Sequence, residues 1–269
     1  MKPIHIITIA STLVLATAVY FFFPLKKNAE TKAQPQAQRD KPKGGFDMDS
    51  YIDRVNSSFS ADSQNIIKRW LKEGSLDNLV AAYHAKGESI AEAYFLNQLA
   101  EKNNSFEQFQ RAGDLFEATA ALTDKEDMSA FLIENAIAAY QKATLIDSGD
   151  VFLKMKLASS YIEQGSNPMQ GISMLLDIVK KDPNNADAQL MLGKFAMMSG
   201  QFEKAIERLE KVVYLRPQSN DALFLLAMAH QNLGHKDKAI ELLEKCSKNE
   251  KNPELRKEIE GYIKQLRQS

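Results

Sequence analysis

The chain has 269 residues, of which 44% are apolar and 26% charged, and its 34 lysines and arginines almost balance 35 aspartates and glutamates. That is the composition of an ordinary folded protein of one or two domains, and the near-zero net charge gives no electrostatic footprint for nucleic acid. The only cysteine, Cys246, excludes an internal disulfide framework and a thiolate metal cluster within one chain; a lone cysteine at a helix position is expected to pack as a small buried residue.

Residues 1–25 are expected to form a transmembrane anchor. No charged residue occurs from Ile6 to Phe23, and about 20 apolar residues cross the hydrocarbon core. Tyr20 to Phe23 lie beside Lys26 and Lys27 as an interfacial aromatic belt would. The alternative is a cleaved signal peptide with Ala16-Thr17-Ala18 as its small-residue site, although cleavage there leaves Val19-Tyr20-Phe21 at the new terminus. Lys26, Lys27, Lys32, Arg39, Lys41 and Lys43 follow the span, against Lys2 before it. Positive residues favour the cytoplasm, so the charge bias places the rest of the chain inside the cell, with a periplasmic orientation as the alternative.

Residues 26–46 contain Pro35, Pro42 and Gly44-Gly45 without apolar periodicity, and are expected to be a solvated linker. Residues 47–74 form the N-terminal helices: Tyr51, Ile52, Val55 and Phe59 make one apolar stripe, and Ile66, Ile67, Trp70 and Leu71 a second that stops at Gly74. Residues 75–149 hold two degenerate helix pairs. In the second, Gly113 and Ala136 stand 23 residues apart where Gly193 and Ala205 of a later pair stand 12 apart. The excess of 11 residues, about 3 helical turns, predicts two helices longer than their neighbours and projecting past them.

From 150 to 250 the chain repeats. Leu192 and Gly193 return 34 residues later as Leu226 and Ala227, Gly200 as Gly234, Ala205 as Ala239, Leu209 as Leu243, and Pro183 as Pro217. Helix-forming residues with apolar spacing of three or four fill both halves of the unit, and a glycine divides them, which predicts helix, tight turn, helix. Gly193 and Ala205 are small where the two helices must meet. The period, with Leu192, Gly193, Ala205 and Pro217 at family positions and Gln189, Ala196 and Leu209 at those of Trp, Tyr and Phe, resembles the tetratricopeptide repeat. The unit at 151–183 follows it through Leu157, Ala158, Tyr161, Gly171, Leu175 and Pro183, with Asn167 and Pro168 opening its second helix. Residues 251–269 are expected to be a charged capping helix with Leu255, Ile259, Tyr262, Ile263 and Leu266 at helical spacing. The fold class is therefore all-α, a superhelix of helical hairpins behind the anchor.

Catalytic motifs are missing: there is no phosphate-binding glycine loop, His-Glu-x-x-His, Cys-x-x-Cys or Gly-x-Ser-x-Gly. No enzyme activity, cofactor, metal or small-molecule substrate is expected. His230 and His235 are five apart and do not share a helical face, and His84 and His230 fall where the family packs a tyrosine. The resemblance implies that first helices line a surface for a protein partner. Its second, fifth, ninth and twelfth places carry Phe152, Met155, Ser159 and Ile162, then Asp187, Leu190, Lys194 and Met197, then Asp221, Phe224, Met228 and Gln231. Only Lys194 matches the residues with which some family members hold a terminal carboxylate. The candidate groove is therefore Met155, Ser159, Leu190, Lys194, Met197, Phe224, Met228 and Gln231, Met-rich and suited to an apolar or amphipathic segment; packing between repeats is the competing role. The layout is similar to that of bacterial membrane-tethered tetratricopeptide proteins. It implies a scaffold, with a self-associating structural protein and a periplasmic holdase as alternatives.

Overall fold

The computed structural model describes residues 45–164 and 167–268; the anchor and almost all of the linker expected from the sequence lie outside them. Among the described residues there are thirteen helices and no strand. These are α1 (Met48–Ser57), α2 (Ala61–Glu73), α3 (Leu76–Lys86), α4 (Ser89–Asn103), α5 (Phe106–Ala120), α6 (Glu126–Ile146), α7 (Val151–Gln164), α8 (Pro168–Lys181), α9 (Ala186–Met198), α10 (Phe202–Leu215), α11 (Asn220–Asn232), α12 (Lys236–Asn249) and α13 (Pro253–Gln268). No described helix is long and apolar enough to cross a membrane.

Local chemistry sets the helix ends. Side chains of Asp47, Ser60, Ser105, Asn185 and Ser219 each accept a hydrogen bond from a backbone N–H in the following first turn, satisfying a donor that the helix itself leaves unpaired. Asp150 does the same for Leu153 at 2.8 Å. The turns inside the last two hairpins pass through Gly200 (φ 70°) and Gly234 (φ 79°). That left-handed conformation favours glycine, so the period repeats a backbone requirement.

Each helix packs chiefly on its neighbours in sequence, as a solenoid does. Three apolar clusters follow one another along it: one from α1 to α7, one shared by α7, α8 and α9, and one from α9 to α13. Small residues permit the close contacts. A Cβ on Gly193 would stand 2.9 Å from Leu209 Cδ2, and one on Gly113 would stand 2.4 Å from the Tyr140 ring. Because Leu209 and Tyr140 both lie four residues after the matching alanines, Ala205 and Ala136, the register resumes across the insertion.

The insertion itself differs from the expectation. α6 has 21 residues while α5 has 15, the same as α4, so one helix takes most of the extra length. Glu126 lies ten residues before Ala136, whereas Phe202 lies three before Ala205; the added turns are at the start of α6. They do not project. Leu132 is fully buried, and Phe46, Met128 and Phe131 pack against the first cluster, with the Phe46 and Phe131 rings 4.9 Å apart. The entering chain covers the added turns because their apolar side chains otherwise face water.

Candidate partner-binding face

The first helices of successive hairpins stand side by side. Lys156 of α7 reaches Asp114 of α5 at 3.0 Å, Met155 of α7 shares a cluster with Ala188 and Leu192 of α9, and Lys194 of α9 lies 3.8 Å from Asp221 of α11. The Tyr262 hydroxyl of α13 donates to Gln231 of α11 at 2.5 Å and lies 3.8 Å from the Met228 sulfur. The capping helix thus extends the same face by one more element.

The eight candidate groove residues divide. Met155, Phe224 and Met228 are buried among neighbouring helices, and Ser159, Leu190, Met197 and Gln231 are half-buried. Lys194 is exposed, with an aspartate opposite it, and Ser159 donates to Glu163 at 3.1 Å. Met155, Phe224 and Met228 therefore serve packing. On the first helices, Phe152 at the start of α7 is 58% exposed and Met198 at the end of α9 is 73% exposed, with Leu190 and Met197 of α9 half-buried.

A charged cluster on α5, α6 and α7 was not anticipated. The buried Tyr140 hydroxyl lies 2.8 Å from Asp114 and 2.9 Å from Glu117, which share its one proton. Burial and the two carboxylates hold its phenol well above the usual range. Burial alone would lower the Lys156 ammonium, but Asp114 and Glu117 outweigh it and hold it above its ordinary value. Running the repeat register across residues 106–118 would have found Asp114 and Glu117, at the places Lys194 and Met197 occupy in α9. The long insertion hid the match.

The histidines also depart from expectation. His84 is not packed: its ring is exposed and its Nδ1 lies 3.0 Å from Glu92, a buried carboxylate that also pairs with Arg111. His230 is buried. His230 and His235 share no helical face, yet the turn at Gly234 folds one back on the other, with Nδ1 atoms 3.2 Å apart. Burial, then the neighbouring His235, lowers His230. Gln189, at the family's tryptophan position, is buried but satisfied, donating to the Pro183 carbonyl at 3.0 Å and accepting from Arg208 at 3.1 Å. Burial pushes the Cys246 thiol up to about 12, so it packs as a neutral group. Among the described residues no group of three or more His, Cys, Asp or Glu could hold a metal ion.

The family model for the anaphase-promoting complex, cyclosome, subunit 3, matches residues 173–246, the same stretch that carries the 34-residue period. The described residues have the tetratricopeptide-repeat fold. A search of curated proteins found no match. Among solved structures, two crystal structures of MamA superpose with a TM-score of 0.51, at 19% and 20% identity. They cover 65% and 64% of this chain and 90% and 94% of their own. YrrB, described as a TPR protein with an unusual peptide-binding site, covers 72% of this chain and 97% of its own at 16% identity and a TM-score of 0.49. At such identities the likeness concerns the tetratricopeptide fold and leaves the partner open.

Proposed function

We propose that the protein is a membrane-tethered scaffold that binds a segment of another protein across its first-helix face. The observation that carries this reading is the accessible apolar strip of Leu190, Met197 and Met198 on α9, one of the side-by-side first helices. Flexible methionines repack around varied apolar shapes, and solenoid surfaces present extended faces to partners. The tether is the apolar stretch from Ile6 to Phe23; confinement to a membrane raises the effective concentration of a membrane-bound partner without new contacts. The charge bias after that stretch favours repeats on the cytoplasmic side.

The test is crosslinking in intact cells from a photoreactive residue at Met197, followed by mass spectrometry. One dominant captured protein supports a dedicated scaffold. Capture of many unrelated unfolded chains, or only of copies of the protein itself, overturns it. Release of the protein from membranes by high salt without detergent would remove the tether.

A further inference from the structure

The proposed docking face has a direction written in charge. Near the C-terminal ends of the first helices, α9 presents Met197 and Met198; at the matching places α5 presents Glu117 and α7 presents Ile162 and Glu163. A segment crossing the helices at this level meets carboxylates first and methionines next. Lys156 is shared between Asp114 and Glu117, so those two acids retain an excess negative charge, and their side chains remain 41% and 26% exposed. Glu163 adds a third carboxylate, exposed to solvent, whose hydrogen-bond partner is the neutral Ser159 hydroxyl. Although Glu163 keeps solvent access, the crowding of the packed helices around it partly desolvates its carboxyl and pushes it up, the Ser159 hydrogen bond opposes this, and the charge of Glu117 pushes it up further. On α9 and α11 the opposite charges of Lys194 and Asp221 face each other and balance, so next to the methionines the excess negative charge is that of α5 and α7.

We infer that this face, if it is the docking site proposed above, receives a cationic amphipathic segment of a partner protein. Its lysine or arginine side chains lie against Glu117 and Glu163, and its apolar side chains lie against Met197 and Met198. Charge-assisted hydrogen bonds from ammonium or guanidinium groups satisfy the carboxylates, and an acidic segment is repelled by the same groups. The asymmetry fixes the direction in which the segment lies.

Short random peptides displayed on phage, selected on the full chain in detergent micelles, test this. The winners are then titrated against the wild type, Glu163→Gln and Met197→Glu, with helical circular dichroism checked for each variant. Winners are expected to combine lysine or arginine with apolar residues, to weaken about tenfold on Glu163→Gln, to weaken with added salt, and to be lost on Met197→Glu. Acidic or uncharged winners that Met197→Glu abolishes, or basic winners that Glu163→Gln leaves undiminished, overturn the inference and leave the docking site standing. Winners indifferent to Met197→Glu, or no winners, overturn the docking site itself. If light scattering instead finds a dimer that Glu163→Gln and Met197→Glu dissociate, the occupant is a second copy and the inference fails.

Discussion

The two halves of the solenoid solve the same packing problem with different chemistry. From α7 to α12 a small residue on one helix of a hairpin meets an aliphatic side chain or the backbone of the other, as Gly193 of α9 meets Leu209 of α10 and Gly171 of α8 meets Ala158 of α7. From α1 to α6 aromatic rings fill the seams: Tyr83 stacks on Phe95 with centroids 5.3 Å apart, and Tyr140 lies against Gly113. Tyrosine hydroxyls in that half end on Asn56, Asp114 and Glu117. An aliphatic seam tolerates any register that keeps volume, so repeats can be copied along the chain. An aromatic seam with polar ends specifies one partner, because each buried hydroxyl requires its acceptor.

The sharpest way to break the aliphatic seam is one methyl group. A Cβ on Gly171 would stand 2.3 Å from the Ala158 carbonyl oxygen and 2.9 Å from Ile162 Cγ1, so backbone must move. Gly171→Ala should cost about 1 to 3 kcal/mol or more, read as a lower urea midpoint by circular dichroism. At Gly261 on the exposed side of α13 nothing lies within 4 Å. There the same substitution should stabilise by up to about 1 kcal/mol through helix propensity. Equal signs for the two would show that the close approach of α7 and α8 is not what Gly171 provides.

The aromatic seam has its own test, somewhat smaller in effect. Tyr140→Phe keeps the ring and removes the hydroxyl that Asp114 and Glu117 share, leaving two carboxylates to Lys156 and water. The expected loss is about 1 to 2 kcal/mol. Tyr161→Phe, in the aliphatic half, removes a hydroxyl that accepts from Gln141 and should cost less, since glutamine finds water more readily.

What was legible in the sequence follows the same division. The hairpins at 150–250 were plain because a 34-residue period repeats backbone demands, such as the glycine turns at Gly200 and Gly234. The added length of α6 was legible as a count of residues between Gly113 and Ala136; its burial was not. That depends on Phe46 and the first helices, which lie far away in sequence and share no period with it. The lining was legible as a set of positions, but helical register cannot say that Phe224 and Met228 are covered by neighbours while Met198 is open. The His230–His235 contact escaped because helical geometry was applied across a turn.

That contact supplies a pH-dependent difference between the last hairpin and the one before it, which has Ala196 where α11 has His230. His230 is buried with its Nε2 unpaired, against His235, and Glu210 and Lys238 from the flanking helices also face it. Its folded-state pKa is lowered, so the folded chain binds fewer protons than the unfolded one. Stability is then unaffected above the ordinary histidine range and falls as pH drops below about 6.5. His230→Phe should flatten the change in urea midpoint between neutral and mildly acidic pH. An unchanged slope would show that the other histidines carry it.

The smallest effect belongs to Asp187 and Arg216, joined by a two-pronged pair at 2.5 and 2.8 Å that ties the start of α9 to the end of α10. The Arg216 hydrogen bonds hold the Asp187 carboxyl below its usual range, so the contribution is present above the ordinary aspartate pKa and is lost as pH falls through the lowered one. Both side chains are about half exposed, 54% and 50%. Solvent and salt screening therefore leave about 0 to 1 kcal/mol, and Arg216→Lys, which keeps the charge but not the fork, should lose part of it. A double-mutant cycle with Asp187→Asn at low and high salt measures the term. A coupling that survives high salt would mean the pair is screened less than its exposure implies, and would make this turn as specific a joint as the aromatic seam.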